Sequence, residues 1–279
     1  MILVVGLALF LGLSLASRSL YNQTENRLLQ QRTSEASQAI QLSVSQRQAP
    51  LDAAAALAFA TDGDSANFQQ IMDRYVGPTQ KPFTSAVLYR VGTDTPITAV
   101  GAPIALGTDE NATSAMLADA TKQPFSVVDL LNAKTRSLGY AVADAPKNPT
   151  FVVYAERALT PDPTARQRND QPFAQLDYAF YLGDKADSRH LVTASVGDLP
   201  LKGRTAQQNI PFGNNSILLE MKPIGRLSGD LFANLWWIVA IGGVVVAAVF
   251  AFLTRRLLSR GDVAVQLATE NERLFDEQR

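Results

Sequence analysis

Residues 235–253 carry no charge and are apolar on every side of a helix projection, which a soluble helix of that length rarely is. At 1.5 Å per residue the segment reaches about 28 Å, close to the ~30 Å hydrocarbon core of a bilayer. Trp236 and Trp237 stand at one end, where indoles favour the headgroup region, and Arg255, Arg256 and Arg260 follow the other. The segment is expected to span a membrane with the arginine end in the cytoplasm.

Residues 1–16 form a second uncharged run, rich in Leu, Val, Ala and Gly. Its helical length of roughly 25 Å is slightly short for a span. A cleaved secretory signal would need a basic flank and a small-residue cleavage site. Ser14-Leu15-Ala16 resembles such a site, but no basic residue precedes the run. A retained anchor is the favoured expectation, with the natural start upstream. Two spans return both ends to the cytoplasm. The expected layout is a first transmembrane helix (1–17), an extracytoplasmic domain (18–234), a second transmembrane helix (235–253) and a cytoplasmic helix (254–279). The protein is thus expected in the cell's inner or plasma membrane as a multi-pass protein.

Composition narrows the class further. The net charge of −1 provides no field for nucleic acid, and the absence of cysteine removes disulfides, thiolate metal sites and thiol catalysis. An outer domain without disulfides suits a bacterial envelope. The Asn-x-Ser/Thr triplets at Asn22, Asn111 and Asn214 then read as chance matches.

The interior changes period once. Residues 20–49 lack Gly and Pro, and Leu29, Ala36, Ile40 and Val44 recur at helical spacing. Pro50 is expected to break or kink this helix and to open another through Leu51, Ala54, Ala55 and Ala58. Asp64 or Ser65 can cap a third helix with Phe68, Ile71, Met72 and Tyr75 on one stripe, ended by Gly77-Pro78. From residue 84 the period becomes two. Strands are expected at 84–91, 97–101, 125–131, 138–143, 151–158, 176–182, 190–196 and 216–221, with one helix near 112–121. Residues 160–172, with three prolines, read as a loop. The fold class is α+β, helices first and then a mixed or antiparallel, PAS-like sheet.

This layout resembles bacterial extracytoplasmic sensor domains, the CHASE family first and the related Cache domains next. The likeness rests on the Ala-rich helix, Ala66-Asn67-Phe68 opening the next helix, and residues 83–91 as first strand. Ile210-Pro211-Phe212-Gly213, the strand through Leu218, Pro223 and the exit into Trp236 complete it. CHASE domains often follow the first strand with a proline, an arginine and an acidic–aromatic pair. Here Gly92-Thr93-Asp94-Thr95 follows instead, which leaves the ligand class open. Residues 266–279 are similar to the signalling helix ahead of SpoIIE-like serine phosphatases, and such helices also precede histidine kinases and diguanylate cyclases. Leu257, Ala264, Asn271 and Gln278 share one heptad position, and Leu267 and Leu274 the other. Leu267, Asn271 and Leu274 are therefore candidate dimer contacts. The competing reading is a solvated helix end. The resemblance implies a homodimer and a downstream cytoplasmic effector domain (phosphatase, kinase or cyclase).

Catalytic chemistry is sparse. His190 is the one histidine, without metal-ligand or base partners grouped around it, and no phosphate loop or nucleophile elbow occurs. Neither an enzyme nor a metal or other cofactor is expected. A small-molecule or envelope-ligand pocket is more plausible: Tyr89, Tyr140, Tyr154 and Tyr178 fall in four strands, with Arg90 and Arg157 close by. Against it, tyrosines are ordinary sheet formers, and the two-residue period turns each neighbouring arginine to the opposite face. Together these readings point to the input module of a transmembrane receptor. The alternative is a membrane-anchored envelope scaffold that signals nothing.

Overall fold

The computed structural model describes residues 2–78, 80–93, 95–107, 110–164, 175–227, 237–238, 240–250 and 252–253. They fall into two compact units, one of Met1–Leu28 with Arg226–Arg279 and one of Leu29–Gly225.

The first unit holds the start of helix α1 (Ile2–Ala60) and the helical residues 237–238, 240–250 and 252–253. Ile241, Val245, Val249 and Phe252 are exposed. The Leu227 backbone N–H donates to the buried Glu25 carboxylate at 3.2 Å. Among the described residues, no helix is long and apolar enough to cross a membrane. The tail positions Leu267, Asn271 and Leu274, and residues 165–172 of the Pro-rich loop, lie outside the described residues.

In the second unit α1 continues without interruption through Pro50, which corrects the break expected there. Proline deletes one helical hydrogen bond and crowds the preceding turn at a cost of about 3 kcal/mol. Pro50 is itself buried, and the face that follows it (Leu51, Ala54, Ala55 and Ala58) is at most 2% exposed, so packing on one continuous face offsets the loss. Asp64 caps helix α2 (Ser65–Met72) by accepting from the Asn67 N–H at 2.9 Å. Phe68 and Met72 are its buried stripe.

Two antiparallel sheets follow. The first runs in the order β2 (Pro96–Gly101), β1 (Ser85–Arg90), β5 (Phe151–Ala158), β4 (Ser137–Ala143), β3 (Ser126–Leu130). The second runs β7 (Leu191–Ala194), β6 (Leu176–Leu182), β9 (Asn215–Pro223), β8 (Ala206–Phe212). β8 was absent from the expected strands. It is an edge strand, and Gln207, Gln208, Asn209 and Pro211 are what an edge tolerates and a period-two scan misses. His190 closes a 3₁₀ turn, Ser188–His190, rather than entering a strand as expected.

Helix α3 (Glu110–Ala120) packs its buried Met116, Leu117 and Ala120 on one face of the first sheet, over β3 and β4. That leaves the β1–β2 side of the same face to the chain between β2 and α3. Helix α2 lies on β2, where Gln69 Nε2 donates to Thr98 Oγ1 at 2.9 Å. Phe125 and Tyr140 of the first sheet region meet Phe212 of the second at centroid distances of 6.1 and 6.0 Å. Arg136 adds to this joint by donating to the backbone carbonyls of Thr160 and Leu191 at 2.8 and 2.5 Å.

Candidate functional site

Register decides which tyrosines can share a site. Val87 pairs with Tyr154, Tyr89 with Val152, and Ala141 with Tyr154. Val87, Tyr89, Ala141, Val152 and Tyr154 therefore stand on one face, the face that carries α3. Tyr140 pairs with Ala155 and stands on the other, stacked on Phe125 and edge-on to Phe83.

On the α3 face, beneath the chain that links β2 to α3, lies a cavity of about 700 Å³. Val87 and Tyr89 of β1 and Ala99 and Gly101 of β2 form its floor. Pro103 and Ile104 of the connection and Glu110 and Thr113 of α3 form its walls. Gly101 is required there: its φ is +92°, and a Cβ would lie 2.4 Å from both the Thr84 carbonyl oxygen and Val76 Cγ1.

The connection is held in place by one buried side chain. Glu156, 2% exposed on β5, accepts from the backbone N–H groups of Ala105 at 2.5 Å and Leu106 at 2.8 Å. Tyr154 Oη donates to the same carboxylate at 2.8 Å. A buried carboxylate demands such donors, and here two of them belong to the wall of the cavity. Gly139, paired with Glu156, makes room for the phenol, since a Cβ there would stand 2.4 Å from Tyr154 Oη. Burial, reinforced by the Glu156 charge, pushes the Tyr154 phenol far above its ordinary range and raises that of Tyr89 in the same direction. Both rings stay protonated at neutral pH.

Of the expected site residues, Tyr89 lines the cavity and Tyr154 supports it from the same face. Arg90 turns away, as the two-residue period requires. Its guanidinium lies 4.7 Å from the Phe151 ring centroid and 3.1 Å from Asp62 Oδ1. Arg157 donates to the carbonyls of Lys81 and Pro82 at 3.3 and 3.2 Å. Tyr178 belongs to the second sheet, its ring 5.4 Å from that of Phe180. The six positions thus divide among several tasks. Glu156, Gly139 and Glu110 went unread in the sequence. One signal was available: Glu156 is the one acid of its strand and follows five buried residues without a charge, Phe151 to Ala155. Among the described residues, no three His, Asp or Glu side chains gather as a metal site.

No protein-family model and no curated protein matches the chain. Among solved structures it is similar to the ligand-binding domain of the Pseudomonas fluorescens chemoreceptor CtaA in complex with L-isoleucine. The TM-score is 0.50 at 11% identity, covering 74% of this chain and 95% of that one. It is also similar to the ligand-binding domain of the Pseudomonas aeruginosa PAO1 amino-acid chemoreceptor PctC in complex with GABA, at a TM-score of 0.46 and 13% identity. That match covers 71% of this chain and 99% of that one. The first likeness establishes a shared fold: an α+β architecture with a long helix and antiparallel sheets.

Proposed function

We propose that the chain is the sensory input module of a transmembrane receptor and that the cavity over β1 and β2 receives a small molecule. The observation that carries this reading is the construction of the cavity: an apolar, Tyr89-floored space whose wall is fixed by a buried carboxylate. Such a space, largely preformed and lined by apolar groups with a few polar ones, is what small-ligand sites have in common. The fold shared with a chemoreceptor's ligand-binding domain supports it.

In this reading residues 18–234 lie outside the cytoplasmic membrane, between anchors at 1–17 and 235–253. The exposed Val245, Val249 and Phe252 support the second anchor, because apolar side chains on a helix surface seek lipid or a partner. Residues 254–279 pair with a second copy through Leu267, Asn271 and Leu274 and pass the signal to an effector domain. A ligand shifts this equilibrium only by its differential affinity for the two states.

The test is thermal unfolding of the full chain in lipid nanodiscs against a panel of small metabolites, with Ala99→Trp as the filled-cavity control. Stabilisation by a ligand in the wild type and its loss in Ala99→Trp is the expected result. Ligand-induced stabilisation that survives the filled cavity would place binding elsewhere and defeat the reading.

A further inference from the structure

Resting on that reading of the cavity, we infer that its ligand is an apolar amine: a cation with a hydrocarbon body and no carboxylate of its own.

The argument begins with charge. From residue 84 to residue 113, the stretch that supplies the cavity's lining, the sequence has a single basic residue, Arg90. Arg90 is committed on the other side of the sheet, paired with Asp62 and stacked on Phe151. The guanidiniums of the neighbouring strands are committed as well, Arg157 to the Lys81 and Pro82 carbonyls and Arg136 to the joint with the second sheet. None of the described lining residues is Lys, Arg or His. Among the described lining residues a ligand carboxylate would meet no cationic side chain.

The charges that do face the site are negative. Glu110 lines the cavity at the first turn of α3, and so already satisfies the positive end of that helix. Glu156 stands on the same face as Tyr89, at the wall it holds, and its charge adds to burial in raising the Tyr89 phenol. An ammonium group would have a carboxylate at Glu110 and an aromatic ring at Tyr89, both of which attract cations. Val87, Pro103 and Ile104 offer surface for a hydrocarbon body. An amino-acid ligand would bring a carboxylate for which the described lining residues supply no cation.

Matched probes test this with the full chain in nanodiscs by isothermal titration calorimetry: 2-phenylethylamine and cyclohexylmethylamine against 3-phenylpropanoate, cyclohexylacetate and L-phenylalanine. The amines are expected to bind at least about tenfold more tightly than the acids, a difference of one Coulombic contact in a partly dry site. Glu110→Gln, an exposed position, should reduce the preference by about fivefold. Ala99→Trp should abolish binding of every probe. Acids or phenylalanine binding as tightly as the amines, and lost in Ala99→Trp, would overturn the charge assignment and leave the cavity reading intact. An amine preference indifferent to Glu110→Gln would do the same. Failure of all five probes to bind would overturn the amine inference and leave the cavity reading to the metabolite panel, whereas binding that survives Ala99→Trp would overturn both.

Discussion

His190 Nδ1 lies 2.7 Å from Asp129 Oδ2, so the one histidine of the chain ties the 3₁₀ turn of the second sheet to β3 of the first. Asp129 is engaged on both oxygens, because Oδ1 accepts the Leu131 N–H at 2.9 Å. The same edge of β3 is held a second time, by the Val127 N–H donating to Asn214 Oδ1 at 2.7 Å. Since both partners are partly solvated, the pair is expected to be worth about 0.5–1 kcal/mol. A double-mutant cycle with His190→Ala and Asp129→Ala in urea measures it. A coupling energy indistinguishable from zero would reduce the contact to coincidental proximity.

The elements were legible where periodicity is local, and illegible where pairing decides. The β-branched and aromatic runs in Phe151–Ala158 and Leu176–Leu182 mark strands at their observed bounds, because short apolar runs of this length, largely buried on both faces, read as interior strands. That these strands belong to two sheets is set by long-range register. Nothing in either segment announces it. The same holds for the site. Tyr89, Tyr140 and Tyr154 look equivalent along the chain, and only the pairing of Tyr140 with Ala155 puts it on the opposite face. Pro50 misled for a related reason: its local cost is real, but burial on α1 outweighs it.

Alkaline pH should unfold the protein through its phenols. Burial, and next the Glu220 charge, push Tyr181 up to about 12 from an ordinary value near 10. A raised acid favours its neutral form in the folded state. The stability it contributes is therefore complete below pH ~10 and is lost as pH rises toward 12, at roughly 1.4 kcal/mol per pH unit. Tyr154 and Tyr89, both raised, act in the same direction. Ultraviolet titration of tyrosinate alongside circular dichroism checks this: the last phenols should ionise together with loss of structure. Ionisation of every tyrosine near pH 10 with the fold intact would contradict it.

Tyr181 Oη is buried without a hydrogen-bond partner among the described residues. An unsatisfied hydroxyl costs about 1–3 kcal/mol of desolvation. Tyr181→Phe removes the hydroxyl while keeping the ring in the cluster of Ala179, Leu191, Ala194 and Leu218. The variant should be as stable as the wild type or more stable by about 1 kcal/mol, measured by urea unfolding. A loss of 1 kcal/mol or more would mean that the hydroxyl is satisfied by bound water.

The proposed topology is testable because the chain has no native cysteine. Single cysteines at Thr164 and Ser259 fall on opposite sides of the membrane if residues 1–17 and 235–253 are anchors. A membrane-impermeant maleimide applied to spheroplasts should label Thr164→Cys directly and Ser259→Cys only after permeabilisation. The reverse pattern would invert the assignment, and equal labelling of both would argue against a span between them.

Glu156 is where fold and site meet, and its replacement should separate them. Its two carboxylate oxygens take three donors, the Ala105 and Leu106 N–H groups and Tyr154 Oη. Glu156→Gln keeps the shape but leaves one oxygen to accept and adds two N–H donors of its own, so at least one buried donor loses its partner. Losing a charged, buried hydrogen bond costs about 1.5–3 kcal/mol, and the cost should fall on the connection, because the β5 ladder to β1 and β4 is untouched. Amide hydrogen exchange should therefore quicken at Ala105 and Leu106 while Val152 and Val153 remain protected. Ligand affinity should fall with it, since the cavity's wall is then held less firmly. Uniform acceleration across β5 would show instead that Glu156 supports the whole sheet, and unchanged exchange at Ala105 and Leu106 would show that the wall stands without it.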